Sequence, residues 1–334
     1  MNRRELLEGL ARLFWVFITK NAWADGLPAM EKARISQEME AGKEHRSNFK
    51  VIYGESRLRS EFLNFLKNVY HIYPESDFDR LIGRIASSHF NDRDIYIAVQ
   101  QALPEIKPLL QPLTFALPAL ETQKTEMARQ TSELLGNSKN HKGYMEIGTP
   151  GRYVLALQRH IKMSGHVYVV HTQAPGFSPE DIVERGQLGR LGNFVPLADY
   201  NPISVPEGSF DLVSNFIGLH HAPREKLDGF VQSIWKALKP GGKFILRDHD
   251  AASPQTEAMV ALAHDVFNCG LGVPWEKNAQ ELRFFKSISY LEDYLAKQGF
   301  KRVGPQLAQE GDPTKNLLMA FEKTEVTATG ASSS

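Results

Sequence analysis

From about residue 140 onward, short apolar runs alternate with segments of helical periodicity, and this alternation limits the fold more than any other feature of the chain. The runs fall at 144–147, 166–170, 193–196, 210–215 and 243–247. Helical stretches at 153–161, 180–185 and 227–238 lie between them. Strand–helix–strand order of this kind predicts an α/β fold: a doubly wound, mostly parallel sheet with right-handed crossovers. A further helix is expected at 290–298. The segments 303–304 and 317–321 would add an antiparallel pair that closes the sheet.

Before residue 140 the spacing is helical instead. Phe62, Phe65, Leu66 and Val69 fall at i, i+3, i+4 and i+7, a buried helical stripe. Segments 95–103 and 117–135 read as further helices, punctuated by Pro104, Pro108, Pro112 and Pro118, which break or start them. The polar segment 136–142 is a linker candidate. The expected organisation is an N-terminal helical module over 27–138, an α/β domain over 143–323 and a small, polar, disordered tail over 324–334. Residues 1–26 admit two expectations. Arg3 and Arg4, the apolar run 13–18 and Ala22-Trp23-Ala24 resemble a twin-arginine export leader over residues 1–24. Against the leader, Glu8 and Arg12 interrupt the region that should be apolar, and Leu6, Leu10, Leu13 and Phe17 mark one face of an amphipathic first helix. The second is favoured, with a cytoplasmic protein as the expectation and export as the alternative.

Lys plus Arg and Asp plus Glu are both 39. This neutral balance gives no long-range pull toward nucleic acid or anionic membrane. No apolar stretch reaches the ~18–20 residues that span a bilayer. The single cysteine, Cys269, excludes an internal disulfide and a cysteine-rich zinc site.

In an open α/β sheet, ligands bind beyond the carboxyl ends of the strands. The first such turn is Glu146-Ile147-Gly148-Thr149-Pro150-Gly151-Arg152, where glycines allow close backbone approach to a ligand. It lacks the G-x-G-x-x-G dinucleotide pattern. The second is Phe210-Asp211-Leu212-Val213, with Leu219-His220-His221 following. The third is Ala237-Leu238-Lys239-Pro240-Gly241-Gly242-Lys243-Phe244-Ile245-Leu246, in which a Pro-Gly-Gly turn joins a helix to a β-rich run. Together, "GSFDLV…LHH" and "IWKALKPGGKFIL" resemble the fourth-strand and fifth-strand signature of class I S-adenosylmethionine-dependent methyltransferases. The closest flavour is the quinone-biosynthesis and small-molecule group, and the resemblance covers about residues 143–323.

That resemblance implies a Rossmann-like methyltransferase sheet, S-adenosyl-L-methionine as cofactor and a small-molecule acceptor. It implies that Glu146, Gly148 and Gly151 line the methionine end of the cofactor. Asp199 would accept from the adenine amine with Ala198 at the adenine rim, and Asn215 to Gly218 would face cofactor and substrate. Two positions depart from the family pattern. Pro150 removes an N–H donor from the first loop. His171 stands where the family grips the ribose hydroxyls with an acidic residue, and an imidazole cannot act as a bidentate acceptor.

The segment Arg247-Asp248-His249-Asp250 follows the fifth run. Strand alternation sends Asp248 and Asp250 to one side and His249 to the other. His249, with Asp248 and Asp250, is the candidate catalytic group, as a base that takes the acceptor's proton. Substrate binding by the carboxylates, a metal site with His220 or His221, and plain helix capping by Asp250 or Ser253 remain open at this stage. Adjacent residues such as His220 and His221 rarely converge on one ion, so no metal site is expected. Arg283, Phe284, Phe285, Trp275 and Phe267 lie where the family's late insert covers the substrate. Two rival functions stand beside methyl transfer: a methyltransferase fold that binds without catalysing, and a nicotinamide-dependent oxidoreductase, which the missing G-x-G-x-x-G disfavours.

Overall fold

The computed structural model describes residues 47–108, 117–136 and 140–324. The leader or first helix expected over 1–26, residues 137–139 of the linker and nearly all of the tail lie outside the described residues.

Five parallel strands form the centre: β1 (His141–Ile147), β2 (Met163–His171), β3 (Asn193–Pro196), β4 (Phe210–Asn215) and β5 (Leu238–His249). β6 (Phe300–Ala308) and β7 (Asn316–Lys323) complete the sheet in the order β3-β2-β1-β4-β5-β7-β6. β7 runs antiparallel to both β5 and β6. The chain is thus α/β, with a doubly wound and mostly parallel sheet. The alternation in the sequence located every strand. Several strands are longer than their apolar runs: β1 takes in His141 and Lys142 from the expected linker, β2 and β6 extend beyond 166–170 and 303–304, and β5 begins at Leu238, ahead of the Pro-Gly-Gly turn. Leu238 pairs with Phe210, but Lys243 is the partner of Leu212, so the extra residues are absorbed as a local register shift.

Helices cover both faces. On one lie α5 (Leu117–Leu135) and α6 (Val154–His160), and Met127, Ala128, Val154 and Leu157 pack there against Tyr144, Leu212 and Ile245. On the other, α8 (Arg224–Ala237) and α11 (Ile288–Lys297) bury Phe230, Ile234, Leu291 and Leu295 against Met145, Val213 and Phe244. α7 (Pro179–Arg185) follows β2. It starts at the Ser178 cap, whose Oγ accepts from Asp181 N–H (3.2 Å), and ends at Gly186 with φ +77°.

A third apolar cluster is built from two distant parts of the chain. α1 (Asn48–Tyr53), α2 (Ser56–Phe65), α3 (Glu75–Ser88) and α4 (Asp92–Ala102) supply Phe49, Phe62, Phe78 and Tyr96. α9 (Pro254–Gly270), inserted after β5, supplies Met259, Leu262, Val266 and Cys269 to the same cluster. Fully burying one such Phe or Leu contributes about 1.5–3 kcal/mol, enough in sum to fix the N-terminal helices onto α9. α5, by contrast, belongs to the sheet's own core. α9 starts where Ser253 Oγ accepts from Thr256 N–H (3.1 Å) and Pro254 occupies the first turn. Its stripe of Ala258, Met259, Leu262 and Val266 faces the helical cluster. His264, Phe267 and Asn268, at i, i+3 and i+4, face the carboxyl edge of the sheet. A short α10 (Trp275–Asn278) follows. Among the described residues no helix is long and apolar enough to cross a membrane.

Candidate active site

β1, β2 and β4 end nearly level, at Ile147, His171 and Asn215, but β5 runs on. Asn215 pairs with Leu246, and Arg247, Asp248 and His249 pair only with β7. The overhang carries Arg247 and His249 into a cavity of about 370 Å³ beyond the carboxyl edge, while Asp248 turns the other way. The β1–α6 loop walls one side of the cavity. α9 and the turn after β4 wall the other, and Phe65 and Val69 close it from the helical cluster. The turn that presents Val69, Leu66–Tyr70, is one wide π-type turn at the end of α2.

In the loop half, Gly148, Thr149, Pro150 and Arg152 face the cavity. Gly148 has φ +91°, and a Cβ there would meet the Ile217 side chain at 2.3 Å, so the close approach needs glycine. Glu146 lies beneath this loop rather than on the cavity wall. It is fully buried and accepts from Tyr153 N–H (3.1 Å), Tyr144 OH (3.2 Å) and the Thr149 hydroxyl. Burial pushes its carboxyl up to about 7, with the Thr149 and Tyr153 donors opposing. Its place is that of a support for the loop. Gly151 also stands off the wall, with φ +92° and near Leu191 and Val169. Arg152 is clasped by both oxygens of Glu184 (2.5 and 2.6 Å). Burial works against the guanidinium's charge, but Glu184 holds it above its ordinary range.

Beyond β2, His171 and Gln173 line the cavity, with Asp181 nearby on α7. His171 Nδ1 lies 3.1 Å from the Gln173 carbonyl, and burial lowers its pKa, so the ring is neutral. The residues expected at the adenine rim lie elsewhere. Asp199 accepts from Lys226 Nζ (2.7 Å), and neither it nor Ala198 belongs to the cavity wall. Ala198, Asp199 and Tyr200 have φ +46°, +54° and +58°, three successive left-handed residues that no propensity rule predicts for this sequence.

In the opposite half, Asn215 is buried and shapes the turn after β4. Its Oδ1 accepts from Ile217 and Gly218 N–H (3.1 Å each); of the stretch 215–218 expected to face the cofactor, Phe216 and Ile217 line the cavity, whereas Asn215 and Gly218 do not. Gly218, at φ +90°, passes so close to the His220 ring that a Cβ would lie 2.5 Å from Nδ1. Asp248 sits behind this turn. Its oxygens accept from Leu219 N–H (2.8 Å), His249 N–H (2.8 Å) and His220 Nδ1 (2.6 Å). Asp250 accepts from Ile288 N–H (3.0 Å) at the start of α11, so it anchors a helix away from the cavity. Of the expected catalytic trio, His249 alone faces the cavity.

Sequence inspection named His220 or His221 as possible partners of His249 but did not single out His264. His220, His221 and His264 gather around it, with ring centroids 5.5 Å from His249 to both His220 and His264. Burial pushes His249 down to about 4 and His220 and His264 well below the usual range, so these rings are neutral at pH 7. A single histidine on the apolar α9 carries no signal by itself; only the fold brings it here. Arg283 ties the surrounding insert together through Asp265 and Glu281 (2.7 Å each).

A family model described as a methyltransferase domain matches residues 119–303, more than half of the chain. The chain belongs to this methyltransferase family. The cofactor of that family is S-adenosylmethionine. Among solved structures, a Burkholderia thailandensis 1,6-didemethyltoxoflavin-N1-methyltransferase with bound 1,6-didemethyltoxoflavin and S-adenosylhomocysteine is 16% identical. The match covers 62% of this chain and 79% of that one, with a TM-score of 0.43. The N-methyltransferase NodS from Bradyrhizobium japonicum, in complex with S-adenosylhomocysteine, is 18% identical over 60% of this chain and 87% of its own, with a TM-score of 0.39. The [4+2]-cyclase SpnF is 14% identical over 60% and 81%, with a TM-score of 0.41. Likenesses this distant say nothing about the chemistry of this methyltransferase-family chain. No curated protein matches it.

Proposed function

We propose that the cavity binds S-adenosylmethionine along the β1–α6 loop and transfers its methyl group to a small-molecule acceptor on the histidine side. One observation carries this: the family's ligand edge opens into a single cavity walled by the first loop on one side and by α9 on the other. Its volume of about 370 Å³ is near the lower end of the roughly 300–1,000 Å³ of small-molecule pockets. Such space suits a cofactor and a small acceptor rather than a polymer.

When bound, the cofactor supplies an electrophilic methyl group on a sulfonium, so the protein's task is alignment. Gly148 lets the loop backbone approach the methionine end, and Glu146 holds that loop from behind. Gln173 and Asp181 would receive the ribose hydroxyls in place of an acidic residue at 171. Arg247, which donates to Gln309 (3.0 Å) from the cavity wall, is placed to hold a carboxylate. His249 contacts the acceptor; its neutral ring accepts a hydrogen bond from an acceptor O–H or N–H. Asp248 is a positioning residue that fixes the turn after β4 and His220. Asp250 positions α11.

A second reading has a specific observation behind it. Arg152 and Glu184 answer each other, and Asp199 is held by Lys226, so some polar groups near the cofactor edge are already engaged; a binding protein without turnover is the alternative. An assay for S-adenosylhomocysteine release, with small hydroxyl, amine and thiol compounds as acceptors, separates the two. Acceptor-dependent release is expected. Cofactor binding with no release from any acceptor class would favour the binding protein, and NADH binding in its place would favour an oxidoreductase.

A further inference from the structure

His220 follows β4, His249 ends β5 and His264 stands in α9, yet one ring nitrogen from each lies within 4.8 Å of the others. Their Nδ1 atoms are all engaged: His220 with Asp248 Oδ1 (2.6 Å), His249 with the Thr314 carbonyl (3.0 Å) and His264 with the Val260 carbonyl (2.9 Å). A carbonyl only accepts, so Nδ1 carries the proton in His249 and His264, and the Asp248 carboxylate favours the same tautomer in His220. Each neutral ring then keeps its lone pair on Nε2. In His220 that Nε2 is buried and has no hydrogen-bond partner among the described residues. Buried polar atoms are ordinarily satisfied, and an orphan among acceptors calls for a missing electrophile.

We propose that His220, His249 and His264 bind a divalent first-row transition metal of the zinc type through their Nε2 atoms. Imidazole suits these ions, whereas magnesium and calcium take oxygen ligands. Backing of each ligand ring by a carboxylate or carbonyl at the other nitrogen is the arrangement that fixes tautomer and orientation at metal sites. Zn–N bonds are about 2.0–2.1 Å, so the three nitrogens draw together by side-chain rotation when the ion enters. The nearby guanidinium of Arg283 is neutralised by Asp265 and Glu281, while Arg247, whose charge also reaches His249, donates to Gln309 (3.0 Å). All three histidines line the cavity, so a fourth coordination position faces it. The role of that position rests on the methyl-transfer reading: it would hold an acceptor bearing a hydroxyl or thiol, and His249 would then act on the acceptor through the ion. Metal binding itself does not depend on that reading.

The test uses the full chain, stripped with a chelator and titrated with Zn²⁺ in the absence of S-adenosylmethionine, with folding checked by thermal unfolding. One equivalent is expected to bind. His264→Gln should weaken binding by more than about 100-fold and Asp248→Asn by about 10–100-fold, while His160→Gln, on the exposed surface, leaves it unchanged. Co²⁺-loaded wild-type protein should show three exchangeable, hyperfine-shifted imidazole N–H resonances, which identifies the ligands even if a variant fails to fold. Absence of stoichiometric Zn²⁺ and Co²⁺ binding would overturn the proposal. So would a site that survives His264→Gln intact, or a spectrum without three such resonances. Metal binding without cofactor binding would retain the site and reject only the methyl-transfer role.

Discussion

On the loop side of the cavity, the half-buried charge of Arg152 is answered by Glu184, and Glu146 accepts three hydrogen bonds, from Tyr144 and from Thr149 and Tyr153 of the segment it supports. Across the cavity, His220, His249 and His264 are neutral, each is anchored at Nδ1, and His220 Nε2 has no partner among the described residues. The first side is built to be complete by itself and to present backbone to a ligand. The second holds its rings in place but leaves their other nitrogens for something not supplied by the protein. The difference predicts that mutations on the two sides divide between stability and binding.

The largest effect should come from Glu184→Ala, which leaves a half-buried guanidinium without its partner. A loss of about 3 kcal/mol is expected, the lower end for breaking a buried pair, read as a lower urea midpoint. His264→Gln, in contrast, should cost less than about 1.5 kcal/mol, the scale of one ordinary hydrogen bond. If the two variants lose equal stability, the contrast between the halves is wrong.

Next is the pH response of Glu146. Its folded-state pKa of about 7 lies above the ordinary 4.5, so its proton is favoured by folding. The associated stability is fully present below pH 4.5 and is lost as pH rises through 7. At 1.36 kcal/mol per unit this amounts to up to about 3 kcal/mol. Glu146→Gln should flatten the dependence of the urea midpoint on pH across that window. An unchanged slope would mean that the loop is not held by a protonated Glu146.

Gly218→Ala sharpens the comparison from the histidine side. Its φ of +90° and the 2.5 Å approach to His220 predict a loss of about 1–3 kcal/mol and a displaced His220 ring, visible as a shifted imidazole resonance. The smallest effect is expected from Ala198→Gly, which relieves one left-handed residue and should raise stability by about 1 kcal/mol, with cofactor affinity unchanged because Ala198 stands off the cavity.

These particulars show how far the sequence could be followed. The strands were legible because apolar runs and Gly/Pro punctuation are local, and they correctly placed the cavity edge after β1 and β4. Gly148 and His171 could be placed on the cavity wall for the same reason. Asp199 and Asn215 could not, since their direction depends on a left-handed turn at Ala198–Tyr200 and an Asn-closed turn at Phe216–Gly218. The helical segments before residue 140 were readable, but their shared core with α9 was not, because periodicity shows that a face is buried without showing against what. The histidine cluster was legible only in part for the same reason: His249 with His220 or His221 stood as one open possibility, whereas the observed convergence also draws in His264 of α9.

Calorimetric titration of the full chain with S-adenosylmethionine, and separately with S-adenosylhomocysteine, tests most directly that this cavity is a cofactor site. Saturable binding of one equivalent of each is expected, weakened at least about tenfold, or about 1.4 kcal/mol, by Gly148→Val. No heat from either compound at high concentration, with the protein folded, would contradict it.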